Sequence, residues 1–109
     1  MKVNVSETIK DLDGNPIQDD ISNGGNKYLT LAKVISTALL NPIQPEKQTE
    51  DDKVQSFYIS HDVYEASKKG ESVDLTEEQI QLIKKQIGKK FMPLIVGRTY
   101  QLLEQDQNE

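Results

Sequence analysis

The chain contains no cysteine, and His61 is its only histidine. Without cysteine there is no disulfide framework, no thiolate nucleophile and no cysteine-based zinc site. A single histidine excludes a metal site built on a histidine pair, and any histidine base would have to act alone. No glycine-rich phosphate loop is present, because "SNGGNK" lacks a preceding apolar strand and the G-K-[ST] ending. We therefore expect a non-enzymatic protein with no cofactor.

Long hydrophobic runs are also missing. No apolar stretch approaches the ~20 residues of a membrane span, and no signal-peptide core is visible at the N-terminus. The net charge of −5 argues against general binding to nucleic-acid phosphates. The sequence thus predicts a soluble, intracellular protein that binds neither membrane nor nucleic acid.

The 109 residues suggest one domain with a modest core. Hydrophobic residues make up 35% of the chain and charged residues 28%, which is on the polar side for a globular domain. Such a composition suits a thin core, or a chain whose apolar surface is completed by a partner or a second copy.

"DLDGNPIQDD" is the stretch that most resembles a metal site. Asp11, Asp13 and Asn15 match positions 1, 3 and 5 of an EF-hand calcium loop. Glycine comes at position 4 instead of 6, and position 12 is Ser22 instead of the closing glutamate. We therefore predict a hairpin turn in which Asp accepts local backbone hydrogen bonds and Gly14 has positive φ. A weak calcium-binding domain is kept as an alternative.

Four segments have apolar residues at helical spacing and predict helices. Thr30 is placed to cap the first helix, and Gly70 to end the second. Thr76 and Gln79 form a capping box at the start of the third helix, and Pro93 suits the first turn of the fourth. The predicted ranges are 30–41, 50–69, 76–90 and 93–104.

The N-terminal "MKVNV" alternates like a strand, and "ESVD", before the third helix, is the natural segment to pair with it. The predicted fold class is α+β, mostly α, with three to four helices and a small N-terminal β-hairpin or short sheet. A single domain is expected over 1–104, with its β element in 1–22. The segment "DDISNGGNK" is predicted to be a loop, and 105–109 a frayed tail.

The second helix is predicted to have an apolar face that includes its aromatic residues. His61 on this face is expected to be a packed, hydrogen-bonded residue of the interior or of an interface. Ser60 and Asp62 flank His61 in sequence but point in other directions on a helix, so the three do not form a catalytic triad. The face consists of Val54, Phe57, Tyr58, His61 and Tyr64.

Two surfaces near the C-terminus are candidate contact sites. The run "FMPLIVG" is too apolar for all of its side chains to face one thin core, so part of it is expected at an interface. The predicted interface residues are Phe91, Met92, Leu94, Ile95, Val96 and Tyr100. A basic face is the second candidate, for docking onto an acidic protein surface or nucleic acid, with a solvated helix end as the alternative. It comprises Lys84, Lys85, Lys89, Lys90 and Arg98. No aromatic residues are interleaved with the lysines, which disfavours nucleic acid.

Three blocks of the sequence resemble small proteins encoded by tailed bacteriophages and prophages. They are "IKDLDGNPI", "YLTLAKVISTALLNP" and "VDLTEEQIQLIKKQIGKKFMPLIVGRTYQLLE". Those proteins run D-x-x-G-x-P-I, L-T-L-x-x-V-x-x-x-A-L-L, L-T-x-E-E-x-x-x-I-K and P-L-I-V-G-x-x-x-x-L-L-E. Glu77 directly follows Thr76 here, which departs from the third pattern. The resemblance spans nearly the whole chain, but its motifs are structural, so it brings no functional residues with it.

The resemblance implies a phage or prophage origin, with virion assembly, such as tail assembly, as one role. Our first hypothesis is therefore a protein that acts through protein–protein contacts in the cytoplasm of a bacterial host. Its partner would be a second copy, in a homo-oligomer, or another phage or host protein. The alternative is a regulatory module that binds a host protein.

Overall fold

A computed structural model describes residues 2–19 and 28–104. In these residues it has four helices and one small sheet, the mostly helical α+β class that the sequence predicts. Residues 20–27 of the predicted loop "DDISNGGNK" (19–27) and the predicted tail at 105–109 lie outside the described residues. The elements are β1 (Lys2–Val3), α1 (Leu31–Leu40), α2 (Glu50–Lys69), β2 (Val73–Asp74), α3 (Glu77–Lys90) and α4 (Pro93–Glu104), with a 3₁₀ helix at Pro45–Lys47.

The sheet joins the N-terminus to the segment before α3. β1 and β2 are antiparallel, with Lys2 opposite Asp74 and Val3 opposite Val73. This confirms the predicted pairing of "KVNV" with "ESVD", although each strand has only two residues. The side chain of Val3 is fully buried, so the pairing closes one edge of the core.

Beyond β1, three extended segments form a closed ring of backbone hydrogen bonds. The N–H of Ile9 donates to the carbonyl of Leu29 over 2.8 Å, and Leu29 donates to Ile17 over 2.8 Å. Ile17 in turn donates to Ile9 over 2.9 Å, which closes the ring. Ile9 and Leu29 are buried, and Ile17 packs against the core. The predicted N-terminal β element thus consists of three short extended segments joined by these backbone hydrogen bonds.

The same N-terminal segment satisfies the first N–H groups of α1. Leu31 donates to the carbonyl of Glu7 and Ala32 to that of Val5, both over 2.8 Å. The Thr30 side chain accepts from the next amide, as predicted for a cap. Backbone donors that a helix start leaves unpaired are therefore bonded without water, and α1 is fixed against the N-terminal segment.

The helices α3 and α4 approach closely at a glycine. The capping box of Thr76 and Gln79 is present at the start of α3. The hydroxyl of Tyr100 donates to the carbonyl of Lys84 over 2.7 Å. A Cβ added at Gly88 would lie 3.1 Å from that hydroxyl, so glycine leaves room for the α4 ring over α3.

One hydrophobic core lies between these elements. Helix α1 is central, since it contacts α2, α3 and α4. The core takes residues from the N-terminal segment and from every helix. Its largest fully buried side chains are Ile9, Leu31, Ile35, Ile59, Ile80, Ile83, Ile87 and Leu103.

Candidate protein-binding surface

The stretch that resembled a calcium loop is a turn. The Oδ1 atom of Asp11 accepts hydrogen bonds from the amides of Asp13 at 3.0 Å and Asn15 at 2.9 Å. The backbone of Asp11 is bonded to Gly14 and Asn15, and Gly14 has a φ of 86°. The Asp11 carboxylate oxygen therefore stabilises the turn, as the hairpin prediction requires.

Arg98, predicted as part of a basic face, holds this turn from α4. Its Nε atom donates to the carbonyl of Lys10 at 3.1 Å, and Nη2 donates to the carbonyl of Asp11 at 2.8 Å. A third bond runs from Nη1 to the side chain of Gln101. The guanidinium thus ties the hairpin to the last helix, with its donors directed at the protein's own backbone.

The lysines of the predicted basic face also divide into two groups. Lys84 leaves only 16% of its side chain exposed, and its ammonium lies 2.9 Å from a Glu104 carboxylate oxygen. Lys90 donates to the carbonyl of Asn41 over 2.7 Å. Lys85 and Lys89 extend into solvent. Two of the five residues therefore present exposed charge, while three bind within the chain.

The predicted interface residues around the start of α4 are mostly half-buried. Phe91, Ile95, Val96 and Tyr100 pack against the core and keep part of their surface exposed. Leu94 is also partly exposed. Met92 is the member that extends into solvent, at 64% exposure. Phe91, Ile95, Val96 and Tyr100 therefore act mainly in packing against the core, and the interface role of all six residues stays a prediction.

Helix α2 has the predicted bounds, but the side that it buries differs from the prediction. The side of α2 that faces the core carries Ser56, Ile59, Ser60 and Val63. The predicted apolar face points into solvent, and so an interior position for His61 is wrong. The exposed members are Val54, Phe57, Tyr58, His61 and Tyr64. We name these five residues the aromatic stripe.

The reason is that α2 has apolar residues on two sides. Ile59 and Val63 are compact aliphatic residues one turn apart, and both are buried. Ser56 and Ser60 beside them are small, so α2 can approach α1 closely. The bulky rings on the other side would hold the two helices apart, so the thin core accommodates the aliphatic side.

Within the aromatic stripe, the Phe57 ring contacts the rings of Tyr58 and His61. The Phe57 and Tyr58 rings meet edge to face, with centroids 5.6 Å apart. Phe57 and His61 stack at 6.4 Å, and the ammonium of Lys68 lies 5.2 Å from the Tyr64 ring centre. The Nδ1 atom of His61 lies 3.5 Å from a carboxylate oxygen of Asp62. These contacts restrict the side chains before any partner binds.

The cavities and the acidic residues give weaker candidates for a functional site than the aromatic stripe does. A groove of about 490 Å³ opens widely to solvent between the N-terminal segment and α4. Within 2–19 and 28–104, no group of three or more acidic or histidine side chains is placed to hold a metal ion. None of the helices described is both long and apolar enough to cross a bilayer. The aromatic stripe is therefore the candidate functional surface.

Comparison with known proteins found no relative of this chain. No protein-family model, curated protein or solved structure was found to match the chain.

Proposed function

We propose that the chain is a non-enzymatic protein that acts through protein–protein contacts. The aromatic stripe of α2 is the observation that carries this proposal. Phe57, Tyr58 and Tyr64 leave 57%, 58% and 59% of their surface in solvent. Aromatic side chains dominate the energetics of protein interfaces, because each one buries a large apolar area. Several exposed aromatic residues on one side of a helix are typical of a contact surface.

The role proposed for these contacts is virion assembly, such as tail assembly, in a bacteriophage or prophage. Support for it comes from the sequence blocks that resemble small phage proteins. Those blocks cover the Asp11–Asn15 turn, α1, and the stretch from β2 through α4. The aromatic stripe lies between the blocks, on the helix that carries none of the shared motifs.

A substitution at Phe57 tests the contact function. We expect Phe57→Asp to abolish association. Light scattering measures association with a second copy, and a pull-down with the tagged chain measures association with a phage or host protein. The fold should survive, because Phe57 packs on the surface. Met92→Asp is the matched control, since Met92 is similarly exposed but lies in the other predicted interface.

The outcomes separate the alternatives. Loss of association with Phe57→Asp alone assigns the contact to α2, and loss with Met92→Asp alone assigns it to the start of α4. A retained host protein favours the regulatory module, and a retained phage structural protein favours assembly. The proposed function would be overturned by two results together. The wild-type chain would be monomeric, and any protein it retains would be retained equally by the Phe57→Asp and Met92→Asp variants.

A further inference from the structure

The exposed side of α2 has the spacing of a coiled-coil seam. Val54, Phe57, His61 and Tyr64 are separated by three, four and three residues. This is the alternation of a and d positions in a heptad repeat. All four side chains are exposed, so nothing in the described part of the chain fills this seam.

Charged residues continue the seam at both of its ends. Glu50 lies four residues before Val54 and Lys68 four residues after Tyr64, and both are exposed. Glu50 belongs to an acidic first turn, and Lys68 to a basic last turn. The two charges are separated by roughly 27 Å at the rise of an α-helix. The seam thus begins with a negative charge and ends with a positive one.

We propose that α2 of a second copy covers this seam, in an antiparallel pair related by a twofold axis that crosses the seam at the level of residue 59. This proposal rests on the proposed function and names its partner. In the antiparallel register, Glu50 of each copy lies opposite Lys68 of the other, so both ends carry opposite charges. A parallel pair would place Glu50 against Glu50 and Lys68 against Lys68. Charge complementarity therefore selects the antiparallel arrangement.

The same register matches side chains along the seam. Val54 lies opposite Tyr64 of the second copy, and Phe57 lies opposite His61. A small residue thus faces a large one towards each end, and rings meet near the axis. Because the surface pairs with itself under one rotation, the assembly closes as a dimer and leaves no further copy of the seam exposed.

The apolar area is that of a weak but specific dimer. The exposed parts of the three aromatic side chains amount to roughly 350 Å² per copy. With Val54, His61 and the charged ends, we expect each copy to bury about 500 Å², or about 1,000 Å² in total. That total is at the lower limit for specific interfaces. Stacking within the stripe lowers the entropy lost on association, so we expect a dissociation constant in the micromolar range.

Charge reversal at the ends of the seam is the sharpest test. We expect Glu50→Lys and Lys68→Glu each to weaken the dimer roughly 10- to 30-fold, because two attractive pairs become repulsive. The double variant should recover most of the wild-type affinity, and an equimolar mixture of the two single variants should form heterodimers. Sedimentation equilibrium from low micromolar to near-millimolar concentration measures each constant. The chain has no cysteine, so no intermolecular disulfide can confound the association.

Lys69→Glu is the matched control, since it makes the same charge change in the same turn but off the seam. It should alter the dissociation constant by less than about threefold. Circular dichroism establishes that each variant keeps its helix content. Equal effects of Lys68→Glu and Lys69→Glu, or no recovery in the double variant, would overturn the antiparallel pair.

The inference and the proposed function can fail separately. A wild-type chain that is monomeric throughout this concentration range overturns the second copy as occupant. If that monomer still retains a partner protein and loses it with Phe57→Asp, the contact function stands without the dimer. If both are absent, both proposals fail.

Discussion

At the scale of single residues, the N-terminal turn depends on a local and a distant contact. Asp11 binds two amides of its own turn, and Arg98 binds two carbonyls of the same segment. Arginine suits this position because its planar guanidinium directs several donors at once, whereas a lysine presents a single ammonium. The connection between the turn and α4 therefore depends on the directions of the guanidinium N–H groups as well as on the charge of Arg98.

Substitution of Arg98 should lower the stability of the whole chain. We expect Arg98→Ala to reduce the free energy of unfolding by about 1–3 kcal/mol, because it removes two charge-assisted hydrogen bonds to carbonyls. Arg98→Lys should recover only part of that loss. Urea unfolding measures both changes. Lys85→Ala, which removes an exposed charge from α3, should stay within about 0.5 kcal/mol of wild type. An Arg98→Ala variant as stable as the Lys85 control would contradict this role.

The two contacts differ in how far the sequence predicts them. The turn at Asp11 follows from an acidic residue and a glycine at short spacing, and both are local signals. The bond from Arg98 to Lys10 spans 88 residues, and no local pattern indicates it. Arg98 was therefore predicted from its charge alone, as part of a basic face.

At the scale of elements, α2 shows what a helix loses when its core side is partly polar. The hydroxyl oxygens of Ser56 and Ser60 are buried and find no hydrogen-bond partner among the described residues. An unpaired buried polar group costs free energy, and serine is also a poorer helix former than alanine. The core side of α2 thus contributes less stability than its buried area suggests.

Replacing these serines should stabilise the chain. We expect Ser56→Ala and Ser60→Ala each to raise the free energy of unfolding by about 1 kcal/mol, with a melting temperature higher by several degrees. Ser67→Ala in the same helix is the control, because Ser67 is only partly buried and reports helix propensity. Its gain should be about half as large or less. If all three variants gain equally, the buried hydroxyls are not the cause.

The helices also show where sequence patterns suffice. α3 has one apolar stripe, a capping box and acidic and basic ends in the order that the dipole favours, so all its signals agree. α2 has an aromatic stripe and a shorter aliphatic one, led by Ile59 and Val63. The spacing predicts that the larger, aromatic stripe is the buried face, whereas the compact aliphatic stripe is the one that packs against α1. Periodicity predicts the helix, but only packing selects the buried side.

At the scale of the whole molecule, the N-terminal segment connects elements that are distant in the sequence. Val3 pairs with Val73 in the strand that leads into α3. A few residues later, the carbonyls of Val5 and Glu7 accept the first amides of α1. The side chains of Val3 and Val5 are fully buried. Because one segment contacts both α1 and the strand before α3, its release should unfold the chain cooperatively.

Burial of a charge in β1 tests this cooperativity. We expect Val3→Asp to unfold the chain, because an unpaired buried carboxylate costs several kcal/mol and the total stability of such a domain is only about 5–15 kcal/mol. Val3→Ala should cost about 1–3 kcal/mol and remain folded. Asn4→Asp, which adds the same charge at a half-exposed neighbour and keeps the side-chain acceptor for Ser6, should melt close to wild type. Circular dichroism during heating measures all three variants. A Val3→Asp chain that melts like the Asn4 control would show that the helices fold without β1.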